Sequence, residues 1–432
     1  MPRIAVLGAN GLIGNAVALD LRRRGFEVAG FGRRFTAAQR VALGNAAVET
    51  PLLSLSQDGL TKLLEGTDLV VNTIGILQGA ESDAIHRLFA ARLAAVCAGV
   101  PQKLLVHFSV PGRQEDDKTV YSRSKRDGER AIADNGAPYV ILRPGFVIAP
   151  AAYGGSALMR ALAALPLSLP ARESASPFAA TAISDLCETV ARLAARWRSG
   201  ERAWSLTWDV MEEKPGTVGD IVAAFRARGG GPRPWLTLPG WMLMPGALAG
   251  DMAAWLGWKP PIRSTAIREM RRGVAGYPQP WMRDTGILPL AARAAVAAIP
   301  VTVQEKWFAR LYLLKAVALV TLVIFWCVSG LIALTVAFDA ARQTLLDHDF
   351  SFGLAHGITI ASSLLDISVG LLIAVRRTCR IGLLAGMIVS SGYMVGSAVL
   401  TPDLWIEPLG ALVKTGPAIV LMLFCLVILV DR

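Results

Sequence analysis

The sequence predicts an α/β domain built on a doubly wound parallel sheet, followed by an all-α domain of four membrane-spanning helices. The chain has 432 residues, and a glycine-rich turn directly follows its first apolar strand. Strand and helix patterns then alternate through about residue 150, which is typical of a parallel sheet covered by helices. Four apolar segments between residues 311 and 430 are each about long enough to cross a bilayer.

Short apolar runs in the first part of the chain are separated by segments of helical length. Strands are predicted at residues 3–7, 26–31, 68–72, 103–108 and 139–142. Helices are predicted at residues 11–24, 83–98, 121–133, 184–198 and 217–228. Because such strands join through right-handed crossovers, we expect a parallel sheet. Residues 1–150 form its core, and residues 151–300 add a small substrate-binding region that completes the soluble domain.

Residues 301–432 are expected to form the membrane domain. Its spans are predicted at residues 311–338, 353–375, 381–400 and 408–430, close to the length that a hydrocarbon core of ~30 Å requires. The connector at residues 376–380 is basic, whereas those at 339–350 and 401–407 are mostly acidic. Positively charged connectors stay in the cytoplasm. The pattern therefore predicts a multi-pass protein of the cytoplasmic (inner) membrane, with the soluble domain and the C-terminus in the cytoplasm.

The formal net charge of +11 is concentrated in the soluble part, where residues 1–300 contain 35 Lys and Arg against 25 Asp and Glu. Ten basic residues against three acidic ones lie between residues 259 and 315. Such a basic segment beside a bilayer attracts anionic lipid at ~1 kcal/mol per cation, and an orientation signal alone is an equal alternative. No recognition motif accompanies the charge, so nucleic acid is not an expected partner.

Cysteine and histidine spacing argues against a metal site. The five cysteines are scattered without a C-x-x-C motif, which fits neither a disulfide framework nor a zinc site. His86 and His107 lack the spacing of metal ligands, so both are interpreted as structural residues. We expect no bound metal.

The glycine triad at positions 8, 11 and 14 predicts a dinucleotide site. Gly8 permits a tight turn, Gly11 lets the backbone approach a pyrophosphate, and Gly14 lets the helix pack closely on the sheet. The phosphates then lie at the positive end of the helix that begins there. The predicted cofactor-binding residues of this turn are Gly8, Asn10, Gly11, Leu12, Ile13 and Gly14.

The residues after the second strand predict NADP(H) as the preferred cofactor, with NAD(H) as the alternative. An enzyme that binds NAD usually carries an acidic residue here for the ribose hydroxyls. Arg33 and Arg34 occupy this position instead, and two guanidinium groups suit a 2′-phosphate. The alternative is that both arginines are merely solvated.

A tyrosine and a lysine four residues apart, Tyr121 and Lys125, predict an acid–base pair. Residues at this spacing share one face of a helix. A lysine ammonium beside a phenol favours phenolate, so we expect the pKa of Tyr121 to be lowered. The tyrosine then exchanges a proton with a substrate hydroxyl or carbonyl near neutral pH. The structural alternative is that the pair is simply a surface face of the helix.

The glycine turn and the Y-x-x-x-K pattern together resemble the short-chain dehydrogenase/reductase superfamily, in its extended or atypical, NAD-dependent epimerase/dehydratase-like branch. The resemblance extends through about residue 300 and implies a Rossmann-type fold. It assigns Tyr121 as general acid/base, Lys125 as a catalytic residue that also holds the nicotinamide ribose, and Ser109 as hydrogen-bond partner of the reacting oxygen. Ser124 competes for the serine role. Residues 72–75 resemble the loop beside the cofactor, which adds Asn72 and Gly75.

The membrane half resembles the DoxX-like four-helix family, by span count and fused context. Some members of that family accompany quinone-linked oxidoreductases. Asp366 is predicted within the second span and Lys414 within the fourth. A carboxylate at the bilayer centre costs roughly 2.5–3.5 kcal/mol and should face the bundle. Lys414 or a serine such as Ser362 is its predicted partner.

The leading hypothesis is a membrane-anchored NAD(P)(H)-dependent oxidoreductase that acts on a carbonyl or secondary alcohol. The anchor and the apolar stretch at residues 234–258 indicate a lipophilic substrate such as a quinone, isoprenoid or sterol. That stretch either lines an apolar pocket or rests on the membrane surface. One alternative is a non-catalytic module that resembles the NADPH-binding accessory subunit of respiratory complex I or senses redox state in a membrane complex. The other is a nucleotide-sugar-type epimerase or dehydratase.

Overall fold

The structure is a computed structural model that describes residues 2–77, 81–406, 410 and 412–429. Its contacts divide the chain into two compact units. The soluble unit comprises Met1–Leu248 and Pro261–Ala309. The membrane unit comprises Ala249–Pro260 and Arg310–Arg432. A segment from the middle of the chain thus packs with the C-terminal helices.

The soluble unit is built on short strands. In chain order they are β1 Arg3–Leu7, β2 Glu27–Gly32, β3 Ala47–Glu49, β4 Leu69–Asn72, β5 Leu104–Phe108, β6 Tyr139–Pro144, β7 Phe146–Ile148, β8 Leu167–Ser168, β9 Pro177–Phe178, β10 Ala180–Ala182, β11 Ser205–Val210, β12 Gly216–Thr217 and β13 Leu236–Thr237. Seven of them form one sheet in the order β11-β6-β5-β4-β1-β2-β3, with every neighbouring pair parallel.

Helices connect these strands. They are α1 Leu12–Arg23, α2 Ala37–Leu43, α3 Gln57–Leu63, α4 Phe89–Ala98, α5 Val120–Ala133, α6 Gly154–Ala163, α7 Ala171–Ser174, α8 Ile183–Arg198, α9 Val218–Gly229, α10 Leu243–Trp255, α11 Ser264–Arg272, α12 Gln279–Thr285 and α13 Ala292–Ala297. A π-helical turn at Ala84–Leu88 precedes α4 directly.

The two faces of the sheet are both buried, as a parallel sheet requires. Ile4 and Val6 of β1 point into a cluster with α1 and α8, whereas Ala5 and Leu7 point into a second cluster with α3 and α4. This alternation reflects the period of two in a strand. Because both faces of β1 are buried, its residues after Arg3 are all apolar.

The fold class predicted for the soluble part is confirmed, and its five predicted strands are β1, β2, β4, β5 and β6. Two strands of the large sheet were missed. β3 has only three residues, and β11 alternates between exposed and buried positions in a region where the pattern is weak. The β11 strand pairs with β6 at the edge of the large sheet. Residues 145–204, which separate the two strands in the chain, add no strand to this sheet.

The membrane unit contains the end of α10 and the helices α14 Val303–Leu334, α15 Phe338–Leu346, α16 Phe352–Ala374, α17 Cys379–Leu400 and α18 Thr415–Val427. Within the described residues, α14, α16 and α17 are long and apolar enough to cross a membrane. The acidic connector predicted after the first span contains α15. The all-helical character is confirmed.

The fourth predicted span, residues 408–430, differs from the structure. Its described part forms α18, an apolar helix of 13 residues, and the rest lies partly outside the described residues. Lys414 precedes this helix rather than lying within it. The predicted partners of Asp366 are therefore corrected: its carboxylate accepts a hydrogen bond from the Tyr393 hydroxyl of α17 at 2.9 Å.

The contact between α5 and the π-helical turn gives a test of the packing. A Cβ atom at Gly128 would overlap the carbonyl oxygen of His86. We expect Gly128→Ala to force the two backbones apart and to destabilise the soluble unit by about 1–3 kcal/mol. Gly229→Ala is the control, because nothing lies near its Cβ position. Thermal unfolding of the purified protein checks this, and an unchanged midpoint for Gly128→Ala would contradict the packing.

Candidate functional site

The carboxyl ends of β1, β4 and β5 lie side by side in the parallel sheet. The loops that follow them carry most of the predicted site residues, including Gly8, Gly75 and Ser109. In doubly wound sheets this edge is where ligands bind. The candidate site is therefore at the position that the topology favours.

The glycine turn joins β1 to α1 with very little space. Gly8 has a φ of +83°, a conformation that favours glycine, and its carbonyl accepts from the Gly11 amide at 2.8 Å. A Cβ atom at Gly14 would overlap both the Gly8 carbonyl and the Thr73 hydroxyl. Thr73 follows β4 and donates its hydroxyl to Leu7 at 2.8 Å. The start of α1 is thus pressed against two neighbouring loops.

The N-terminus of α1 has no side-chain cap. Gly11 is the N-cap residue and makes no side-chain capping bond. The first-turn amides of Leu12, Ile13 and Gly14 therefore lack the side-chain acceptor that usually satisfies one of them. Asn10 packs beside β2, since a Cβ atom at Gly32 would lie 2.8 Å from its Oδ1. Uncapped amides at the positive end of a helix suit a diphosphate.

Arg33 and Arg34 directly follow β2, and both are exposed. Neither side chain forms a hydrogen bond or ion pair with the residues that the structure describes, whereas the nearby Glu49 pairs with Arg40 at 2.7 Å. A hydrogen bond from the Phe35 amide lowers the pKa of Glu49, and the charge of Arg34 adds to this effect. Two exposed guanidinium groups at this position suit a phosphate on the adenosine ribose.

Lys125 lies in the interior of the site. It is on α5, which begins after the N-cap Thr119, and its side chain is only 4% exposed. Its Nζ donates to the carbonyl of Phe108 at 2.8 Å and would lie 3.1 Å from a Cβ atom at Gly75. Burial lowers the pKa of Lys125 to about 8. The ammonium is therefore close to its titration point near neutral pH.

The expected lowering of the Tyr121 pKa is wrong for this structure. Burial raises the pKa of Tyr121 to about 12, the Glu269 carboxylate adds to the increase, and Arg272 opposes it. Lys125 donates to the backbone at Phe108 rather than to the phenol. Within the described residues, the Tyr121 hydroxyl has no hydrogen-bond partner. The phenol thus keeps its proton at neutral pH.

The two candidate serines differ in their hydrogen bonds. The Ser109 hydroxyl is buried at the end of β5 and has no partner among the described residues. The Ser124 hydroxyl contacts Nδ1 of His86 at 2.8 Å and donates to the carbonyl of Tyr121 at 3.0 Å. Because a buried hydroxyl without a partner is costly, Ser109 is the serine with hydrogen-bonding capacity left for a ligand.

His86 is a site residue that the sequence did not reveal. Its Nε2 accepts from the amide of Ile76 at 3.2 Å, so Nδ1 carries the proton and donates it to Ser124. Burial and the charge of Lys125 lower the pKa of His86 to about 3, which keeps the ring neutral. The ring contacts Tyr121 edge to face at 5.6 Å. His86 therefore supports the orientation of Tyr121.

The Asn72 side chain is already engaged. Its Nδ2 donates to Nδ1 of His107 at 3.0 Å, and its Oδ1 accepts from the amide of Ile74 at 3.1 Å. Both residues are buried. These bonds hold the ends of β4 and β5 together and occupy the Asn72 side chain, which is a predicted cofactor-binding residue.

The helix α11 also contributes residues that the sequence did not assign to the site. Glu269 accepts a hydrogen bond from Thr119, and Arg272 pairs with Asp117 at 2.5 Å. Arg126 of α5 pairs with the same Asp117 at 2.9 Å. These buried pairs fasten α11 to the start of α5, close to Tyr121.

This finding corrects part of the predicted basic segment. Arg272 is only 9% exposed in its side chain, and Arg271 pairs with the buried Glu173 at 2.6 Å. Arg272 is therefore an internal ion-pair partner rather than surface charge, whereas Arg271 stays partly exposed beside its buried partner.

Comparison with known families agrees with the two-part architecture. Residues 8–182 match the model of an NAD(P)H-binding family, and residues 323–423 match the model of the DoxX-like family. No curated protein matches the chain in sequence. The chain joins an NAD(P)-binding Rossmann domain to a DoxX-like membrane domain.

Solved structures share the fold of the soluble part at low sequence identity. MoeE5 in complex with UDP-glucuronic acid and NAD is 18% identical with a TM-score of 0.52, covering 72% of this chain and 99% of its own. The Bordetella bronchiseptica enzyme WbmH in complex with NAD+ is 14% identical with a TM-score of 0.51, covering 72% and 98%. The Escherichia coli NADPH-dependent quinone oxidoreductase QOR2, complexed with NADPH, is 16% identical with a TM-score of 0.51, covering 68% and 98%.

The lowered pKa of Lys125 predicts a pH-dependent affinity for the dinucleotide. The ammonium is present below its pKa of about 8 and is lost above it, so the affinity for NADPH should fall as pH rises through this range. Lys125→Met should bind more weakly at pH 7 and lose this dependence. Calorimetric titration at several pH values checks this. A wild-type affinity that is constant from pH 7 to about 9.5 would contradict the role of the ammonium.

Proposed function

We propose that the chain is a membrane-anchored, NADP(H)-dependent oxidoreductase of the short-chain type. The turn between β1 and α1 would hold the diphosphate of NADPH, and the reduced nicotinamide would supply a hydride to a carbonyl carbon. Tyr121 donates a proton to the carbonyl oxygen, and the products are an alcohol and oxidised nicotinamide. The soluble unit and the C-terminus lie on the cytoplasmic side, where the cofactor is available.

The state of Tyr121 supports reduction as the direction. A phenol with a pKa of about 12 is protonated at neutral pH and so begins as an acid. When the substrate oxygen gains negative charge, a donor that is already positioned stabilises it most effectively. The Lys125 ammonium, near the same strand edge, then holds the ribose and makes proton loss from Tyr121 easier in the bound state.

The unpartnered Ser109 hydroxyl is the observation that carries the proposal. It is buried at the carboxyl end of β5, the strand whose last residue, Phe108, accepts from Lys125. A purely structural serine would find a partner, since most buried polar groups do. A substrate carbonyl supplies the missing partner, and Ser109 then fixes its oxygen beside Tyr121.

The substrate class follows from the anchor rather than from the fold. The neighbours include an enzyme that binds UDP-glucuronic acid and a quinone oxidoreductase, so the fold accommodates both chemistries. A DoxX-like domain with three candidate spans supports a membrane anchor and hence a substrate that is dissolved in lipid. We favour a lipophilic carbonyl compound such as a quinone, an isoprenoid or a sterol over a nucleotide sugar.

A non-catalytic NADPH-binding or redox-sensing module is the second candidate, because Lys125 donates to the Phe108 carbonyl rather than to the Tyr121 phenol. Such a protein binds the nucleotide but catalyses no reaction with it. Purified protein that binds NADPH yet oxidises it with no member of a panel of quinones, aldehydes and ketones would favour this candidate over the enzyme.

Removing the phenolic oxygen tests the catalytic role. Tyr121→Phe should lower kcat by about 10²–10⁴-fold, the usual contribution of a general acid, while the affinity for NADPH stays unchanged. Tyr277→Phe is a matched control, since Tyr277 is 66% exposed. Turnover is followed by NADPH absorbance with a lipophilic quinone. Wild-type turnover by the Tyr121→Phe variant would show that the Tyr121 phenol is not the general acid.

Removing the two arginines after β2 tests the cofactor preference. Arg33→Ser with Arg34→Ser should weaken NADPH binding by about tenfold or more, because a charge-assisted hydrogen bond contributes ~1.5–3 kcal/mol. NADH binding should not change. Arg172→Ser with Arg198→Ser removes the same charge from other exposed positions and serves as control. Equal losses of affinity for NADPH and NADH would show that the two arginines do not bind the 2′-phosphate.

A further inference from the structure

The helix α10 exposes its large apolar residues and buries two of its small ones. Its large apolar side chains Met244, Leu248, Met252 and Trp255 are 46%, 55%, 71% and 88% exposed. They follow one another at intervals of four, four and three residues, which places them on one face of the helix. Ala247 and Gly250, on the other face, are buried. A helix of a water-soluble domain normally buries the large apolar face instead.

The segment before α10 also exposes large apolar side chains. Trp235, Trp241 and Met242, which precede α10, are 78%, 74% and 45% exposed. Large apolar side chains exposed on one helix face mark a surface that another apolar phase covers. The face therefore requires an occupant.

The chain directly after α10 is fastened to the end of a membrane span. The amide of Arg376 donates to the carbonyl of Leu256 at 3.0 Å, and the Trp258 indole donates to the carbonyl of Ala374 at 2.7 Å. The Arg376 guanidinium lies over the Trp258 ring, 5.4 Å from its centroid. Ala374 is the last residue of α16. The chain just after α10 is thus held against the C-terminal end of α16, a candidate membrane span.

The charge around this anchor suits a lipid surface. Exposed or partly exposed basic residues of the segment and of the α16–α17 connector gather here, namely Lys259, Arg376, Arg377 and Arg380. Cations at this level attract anionic headgroups by ~1 kcal/mol each. Tryptophan is also enriched at the boundary between headgroups and acyl chains.

We propose that α10 is an interfacial membrane helix, which lies in the leaflet next to the α16–α17 connector with Met244, Leu248, Met252 and Trp255 turned into lipid. With 13 residues it is ~20 Å long, too short for a hydrocarbon core of ~30 Å. Interfacial helices bury their apolar face ~5–10 Å into the boundary region. The inference does not depend on the proposed activity.

Depth measurements with a fluorescent label test this proposal. Met252→Cys and Trp255→Cys are labelled with an environment-sensitive fluorophore in the full chain, in nanodiscs of phosphatidylcholine and phosphatidylglycerol. Val41→Cys is the matched control, since this apolar side chain of α2 is 85% exposed. Of the native cysteines, four are buried and Cys327 is partly exposed, so labelled wild-type protein supplies the background.

Quenchers then distinguish lipid from other occupants. At positions 252 and 255 we expect a loss of fluorescence with phosphatidylcholine that carries a nitroxide near its headgroup, a smaller loss with the nitroxide at the chain end, and protection from iodide. Position 41 should show the opposite pattern. Labels that iodide quenches as at position 41 would overturn the proposal. Labels shielded from both quenchers would also overturn it, in favour of a pocket or a protein partner.

Discussion

The turn at Gly8 and the start of α1 lie closer together than any side chain larger than hydrogen allows. A Cβ atom at Gly14 would overlap both the Gly8 carbonyl and the Thr73 hydroxyl, so no side chain fits there. This constraint sets the direction of α1, whose uncapped amides face the carboxyl edge of the sheet. Because the ends of β4 and β5 lie at the same edge, it also determines which residues a bound dinucleotide meets.

A second set of interactions positions Tyr121, the proposed proton donor. The neutral His86 ring bonds to the Ile76 amide and to Ser124, which in turn bonds to the backbone of Tyr121. On the other side of α5, Asp117 pairs with Arg126 and Arg272 in a buried cluster. Removing one member of such a cluster leaves a buried charge without compensation, so it holds α5 and α11 in one arrangement.

The sequence predicted the parts of the molecule that depend on local patterns. The glycine spacing located the turn, and apolar runs located five strands of the sheet and the three long membrane helices. Neither β3 nor β11 was predicted, because the sequence of a short or half-exposed strand shows little apolar periodicity. The Asp366–Tyr393 bond was missed because it joins two spans whose relative rotation is not encoded in either segment alone.

The site was predictable only in part, for the same reason. Tyr121 and Lys125 follow from their spacing, but the pKa of the phenol depends on burial and on Glu269, which lies far away in the chain. His86 gave no signal, because its role comes from packing against α5. Arg272 was interpreted as surface charge, since sequence does not reveal that Asp117 compensates it in the interior.

The central claim is that the turn between β1 and α1 holds the diphosphate of a dinucleotide. Calorimetric titration of the full chain with NADPH, wild type against Gly14→Val, tests it most directly, with Gly229→Val as a control at an uncrowded glycine. We expect saturable binding to the wild type and to the control, and none to Gly14→Val. Equal affinity for Gly14→Val, or a wild-type protein that binds no nucleotide, would contradict the account.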